Sequence, residues 1–97
     1  MRENYLNYKD MDAPPSISED AEKLFMECTR NYEARMNGLL HYPTEFRSMT
    51  RKERTSAFKG FTDQEKDAVM NLMTDEQKER LVQDIRYQAV LDFRRRK

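Results

Sequence analysis

Thr50-Arg51-Lys52-Glu53, Thr62-Asp63-Gln64-Glu65 and Thr74-Asp75-Glu76-Gln77 decide how this chain is read. Each is a Thr followed three residues later by Glu or Gln. At that spacing the Thr hydroxyl and the third residue's side chain cap each other's backbone amides at a helix start. The three boxes stand 12 residues apart. Arg54, Lys66 and Lys78 follow four residues after each Thr, Ala57, Val69 and Leu81 seven after, and Phe58, Met70 and Val82 eight after. Phe61, Met73 and Ile85 follow eleven after, so basic and apolar positions repeat with the caps. Twelve residues turn an ideal helix through about 1200°, about 120° beyond three full turns. A patch with that period walks around one straight helix. Breaking the chain at each Thr returns it to one side, so the pattern predicts short helices of about 8–11 residues folded against one another. Gly60 aids the first break. The second, at Leu72-Met73-Thr74, has neither Gly nor Pro, leaving two helices or one bent helix over 62–97. The last helix is expected from about Asp75 to the Arg-rich end, with Leu81, Val82, Ile85, Ala89 and Phe93 as its buried stripe. Arg94, Arg95, Arg96 and Lys97 then occupy its last turn, where cations suit the helix dipole.

Upstream, Ala21, Leu24, Phe25, Cys28, Tyr32 and Met36 draw one helical stripe, separated by charged residues. It predicts a helix over about 18–36. Ser16 with Glu19 offers a capping box, Ser18 is a rival N-cap, and Asn37-Gly38 supplies a left-handed stop. Pro43 and Thr44 open a weaker short helix to Met49. Residues 1–15, ending in Ala13-Pro14-Pro15, read as an extended N-terminal tail, and 16–97 as a single helical domain. No strand pattern occurs. The expected fold is all-α: a small irregular bundle of about four to five helices with a C-terminal array of Thr-capped helices.

Composition narrows the function. The chain has 97 residues, 18 cations, 18 anions and net charge zero. Leu, Ile, Val and Phe make up only 17 of 97 residues, so the core is thin, and seven Met and five Tyr supply part of the missing volume. The single Cys28 forbids an internal disulfide. Without a signal-like or membrane-spanning apolar run, a soluble cytoplasmic protein is expected.

Counting also bears on chemistry. One Cys and one His, Cys28 and His41, cannot build a zinc site without carboxylates. Two glycines, Gly38 and Gly60, cannot make a phosphate loop. Asp10-x-Asp12 opens like a calcium loop but meets Pro14-Pro15, and Ala21 stands where the bidentate Glu belongs. Asp63, Glu65, Asp67, Asp75, Glu76 and Glu79 sit in or near first helical turns, where negative charge suits the dipole. No catalytic residue, metal or cofactor is therefore expected, and no enzyme.

What remains is binding. Residues 1–35 carry five cations and eight anions, residues 36–97 thirteen and ten. The first expectation is a small non-enzymatic protein–protein interaction module: an adaptor, inhibitor or regulatory subunit of the kind phages and mobile elements encode. It would use Tyr5, Leu6 and Tyr8 in the tail and Met26, a methionine off the main stripe. A protein partner or a second copy fits; a membrane does not. The alternative is a nucleic-acid-binding accessory protein. Its phosphate contacts would come from two basic patches, one of Arg47, Arg51, Lys52, Arg54 and Lys59, the other of Arg86, Arg94, Arg95, Arg96 and Lys97.

Overall fold

The computed structural model describes residues 14–95, with the side chain of Arg95 left out. It contains α1 (Glu19–Arg35), a 3-10 turn (Phe46–Ser48), α2 (Arg51–Gly60), α3 (Asp63–Asn71) and α4 (Asp75–Arg95), and no strand among the described residues. Ser18 caps α1, its Oγ accepting the Ala21 amide at 3.1 Å. Ser16 is displaced from that role: its carbonyl instead accepts Gln77 Nε2 at 2.7 Å, which ties the start of α1 to the first turn of α4. Asn37 (φ 56°) and Gly38 (φ 75°) take the left-handed conformation that ends α1.

Local hydrogen bonds set the later helix starts. Thr50 Oγ1 and Thr62 Oγ1 accept the amides of Glu53 and Glu65 at 3.1 Å, and both Glu carboxylates return the contact at 2.9 Å. Thr74 and Gln77 make the same exchange at 3.1 and 3.0 Å. Residues 62–95 are thus two helices. The break needs no glycine because the last turn of α3 tightens, with Leu72 N bonded to Val69 O at 3.1 Å and Met73 N to Met70 O at 3.0 Å. The third Thr-led helix is not short: α4 runs for 21 residues. The helix expected over 44–49 shrinks to the 3-10 turn. Its connector is held from α1, where Arg30 Nη2 donates to the Pro43 carbonyl and Glu33 Oε2 accepts the Tyr42 amide at 2.7 Å.

The all-helical chain folds into a compact globule around α2. On one side Phe25 of α1 is the centre of an aromatic cluster. Its ring lies 5.0 Å from Phe46 and 5.0 Å from Phe61, both edge-on, and 6.5 Å from Phe58. Met49, Val69 and Leu81 are buried with it. Toward its N-terminal end α2 meets α4 through polar groups. Arg54 and Asp84 are each 1 % exposed at the side chain, with Nη2 and Oδ2 3.7 Å apart. Arg80 Nε approaches Asp84 Oδ1 at 3.2 Å, and Arg51 Nε donates to Gln88 Oε1 at 3.4 Å.

That polar contact overturns the expected stripe of α4. Leu81 is buried and Ile85 packs partly on the core, but Val82, Ala89 and Phe93 are exposed. The buried line is Leu81, Asp84 and Gln88. The same spacing of three and four residues defines it, rotated toward the arginines of α2. Arginines at the contact need acceptors there, so the helix turns its Asp and Gln inward. Met36, expected on the α1 stripe, sits at the C-cap and is exposed. Gly60 does not end α2 by a left-handed turn. A Cβ there would strike the Tyr32 ring, so this residue is small to let an aromatic side chain of α1 lie against the backbone.

Candidate functional site

α4 rises about 31 Å along its axis while α2 covers about 15 Å. Asp84 and Gln88 turn toward α2; on its outer surface the helix carries apolar side chains. Phe93 is 63 % exposed, Val90 47 % and Val82 36 %. Ala89, Val90, Phe93 and Arg94 line a shallow depression of about 450 Å³. Helical geometry places Val82, Arg86, Ala89 and Phe93 on neighbouring lines of one face, with Val90 and Arg94 beside them. Three of the six exposed large hydrophobics among the described residues therefore belong to α4. They are concentrated there, and a cluster of this kind differs from scattered surface side chains.

The residues expected from sequence to bind are distributed differently. Tyr5, Leu6 and Tyr8 lie outside the described residues. Met26 is half-buried, packs on the core and lines a depression with Glu22, Lys23 and residues 44–47. Arg47 is exposed and approaches Glu22 at 3.6 Å. Arg51 and Arg54, placed in the first basic patch by sequence, are buried at 7 % and 1 % exposure. Arg54 Nη1 donates to the Met49 carbonyl at 2.7 Å, and the Arg51 guanidinium stands 4.5 Å from the Tyr87 ring centroid. Both arginines serve the α2–α4 contact, so they do not present phosphate-binding charge at the surface. Lys52 stays exposed, 4.0 Å from Asp92, and Lys59 is exposed at the end of α2. Arg86 and Arg94 are exposed on α4; the Arg95 side chain, Arg96 and Lys97 lie outside the described residues.

Two arrangements escaped the sequence reading. Asp84 is fully buried, and its Oδ2 accepts no hydrogen bond. Burial holds this carboxyl above its ordinary range, against the attraction of Arg80, Arg54 and Arg51. The second is Glu65. Besides capping α3 it accepts from Asn31 Nδ2 at 3.1 Å and Arg35 Nη2 at 3.4 Å, joining α3 to α1. Burial opposes its ionisation, but the Thr62 amide, Asn31 and Arg35 together hold its carboxyl below the usual range. A polar residue in a buried register, such as Asp84 three residues after Leu81, is the signal that points to the first. The second has no local signal.

Cys28 is buried, and removal from water pushes its thiol up to about 11, aided by Glu65 and Glu27 and opposed by Arg35. A thiol in that state is a poor nucleophile near neutrality. His41 is exposed on the connector. Among the described residues no group of three or more His, Cys, Asp or Glu could hold a metal ion. No described helix is long and apolar enough to cross a membrane. No protein-family model, curated protein or solved structure matches the chain.

Proposed function

We propose that this protein is a non-enzymatic protein-interaction module whose docking face is the outer surface of α4. The observation that carries the reading is the exposure of Phe93, Val90 and Val82 along one helix, with Arg86 and Arg94 beside them. The partner that fits is an amphipathic helix. Its apolar side would cover Phe93 and Val90, and acidic residues on its flanks would meet the two arginines. The Thr-led starts of α2, α3 and α4 serve this role as a scaffold, each cap fixing the direction of the next helix so that α4 is presented outward. The nucleic-acid alternative is weakened by the burial of Arg51 and Arg54.

The test compares wild type with Val90→Ser/Phe93→Ser in affinity capture from the source cell, with and without nuclease. Circular dichroism checks that both proteins are folded, since the substituted side chains are exposed. The reading expects a stoichiometric protein that survives nuclease and is lost from the double variant. Equal capture by both proteins overturns it. So does capture that nuclease abolishes, which would move the function to the exposed cations.

A further inference from the structure

A second depression lies where α4 faces α2, apart from the outer surface of that helix. It is a cleft of about 330 Å³ walled by three helices. α2 supplies Lys52, Thr55, Ser56 and Lys59, α1 supplies Tyr32, and α4 supplies Gln88 and Asp92. The volume suits a small molecule. Thr55 and Gln88 are buried, so the inner side of the cleft is polar. Lys52, Ser56 and Lys59 follow one face of α2 at spacings of four and three residues. Lys52 and Lys59 are thus about 10 Å apart along the helix and mark the two ends of the cleft.

The ends differ in charge. At the first, Gln88 Oε1 accepts Arg51 Nε at 3.4 Å and Gln88 Nε2 donates to Asp92 Oδ1 at 3.1 Å. These two bonds orient the amide, and the amide holds the Asp92 carboxylate at the cleft. Lys52 Nζ stands 4.0 Å from the same oxygen, with side-chain exposures of 57 % and 40 % for the pair. An ion pair that long and that wet is weak. At the second end, a Cβ on Gly60 would meet Tyr32 Cζ first, the carbon that bears the phenol hydroxyl. Tyr32 Oη is therefore placed beside Lys59. Neither Tyr32 Oη nor Lys59 Nζ has a hydrogen-bond or salt-bridge partner among the described residues. Between the ends, Ser56 Oγ is engaged with Tyr42 Oη at 2.9 Å.

Asp92 repels an anion at the first end, and Lys59 repels a cation at the second. A singly charged molecule satisfies one end only; a molecule carrying both charges satisfies both. We infer that the cleft between α1, α2 and α4 binds a small zwitterion, its ammonium at Asp92 and its carboxylate at Lys59 and Tyr32. The ammonium and carboxylate of an α-amino acid are about 2.5 Å apart, too close to serve both ends. The ligand carries them across a longer chain, as an ω-amino acid or a short peptide does. Lys52 competes with the ligand's ammonium for Asp92. The site is separate from the outer face of α4 and does not rest on the docking reading.

The test titrates the full, isotope-labelled chain with 6-aminohexanoate and follows backbone amide shifts. The expected result is a saturable shift of residues 52–60 and 88–92. Hexanoate, which lacks the ammonium, and hexylamine, which lacks the carboxylate, should each bind about tenfold more weakly or worse, since each forgoes a charge-assisted hydrogen bond. Lys59→Met and Asp92→Asn should weaken 6-aminohexanoate by a similar factor. Lys52→Met should tighten it, because the competitor for Asp92 is gone. Circular dichroism checks that the three variants are folded. A plain anion site gives the opposite pattern: hexanoate binds as well as 6-aminohexanoate, and Lys52→Met weakens both. That pattern overturns the inference, and so does the absence of a saturable shift or undiminished binding by Asp92→Asn.

Discussion

Toward the C-terminal end of α2, Phe58 and the adjoining Phe61 meet Phe25, which also meets Phe46. Toward its N-terminal end, Arg51 and Arg54 meet Gln88 and Asp84. The same ten-residue helix thus has an apolar flank and an ionic one, Phe58 standing about one turn beyond Arg54 along a shared face. The two are held by different physics. Phenylalanine rings gain from leaving water and from edge-on packing, with no partner that must be matched. The Arg54–Asp84 pair loses hydration on both sides and recovers it only through geometry, here 3.7 Å and without a hydrogen bond to Oδ2. The aromatic flank therefore carries stability, and the ionic flank carries register: it fixes which face of α4 turns inward and so which face is left outward.

Two sets of substitutions break that comparison most strongly. Phe25→Ala is expected to cost about 3–5 kcal/mol in urea unfolding, because three aromatic rings lose their common centre and a cavity remains. Arg54→Met is expected to cost about 3–5 kcal/mol as well, because it leaves the Asp84 carboxylate buried without its nearest guanidinium on α2. The two flanks differ in rescue. Arg54→Met/Asp84→Leu should recover most of the loss, since a well-packed apolar pair replaces the charged one. If the double variant is as unstable as Arg54→Met alone, the ionic flank carries stability as the aromatic one does, and the distinction fails.

Gly60 sharpens the aromatic side. Gly60→Ala is expected to lower stability by about 1–3 kcal/mol, because the added methyl meets the Tyr32 ring. Tyr32→Ala should relieve part of that cost in the double variant, and a purely additive result would show that the two residues do not share the contact.

Residues that act on near neighbours were legible in the sequence. The Thr caps, the Ser18 N-cap and the Asn37-Gly38 turn each depend on groups within four residues, so spacing alone exposes them. The Phe25–Cys28 face of α1 was legible for the same reason, since its period is the helix's own. Asp84 was not. Hydropathy places a carboxylate outside, and its inward placement is made tolerable by Arg80 together with Arg54, thirty positions earlier, a contact that no local spacing announces. With Asp84 outward, the expected α4 is turned about its axis. That orientation places Val82, Ala89 and Phe93 in an expected core, whereas in the structure all three are exposed. The same orientation leaves Arg51 and Arg54 in an expected surface patch. Glu65 was readable as a cap but not as a tie to Asn31 and Arg35, because that contact crosses thirty or more positions.

The smallest effect tests the comparison by sign. Glu65 sits on the aromatic flank's border with its carboxyl held below the ordinary range, and Asp84 lies in the ionic flank with its carboxyl held above it. A lowered carboxyl in the folded state adds stability above its unfolded pKa and loses it as pH falls through the folded value. A raised one does the reverse: its contribution is present below the unfolded pKa and is lost as pH rises through the folded value. The stability of wild type relative to Glu65→Gln should therefore rise between acid and neutral pH, by at most about 1 kcal/mol because Glu65 is near the surface. Relative to Asp84→Asn it should fall over the same interval. Urea midpoints measured from about pH 3.5 to 7 for the three proteins give both slopes, the interval spanning the ordinary carboxylate range. Slopes of the same sign would mean that Asp84 is held ionised by its arginines. The α2–α4 contact would then be a stabilising ion-pair network, and the inward turn of α4 would follow from attraction at that site more than from the need to satisfy buried arginines.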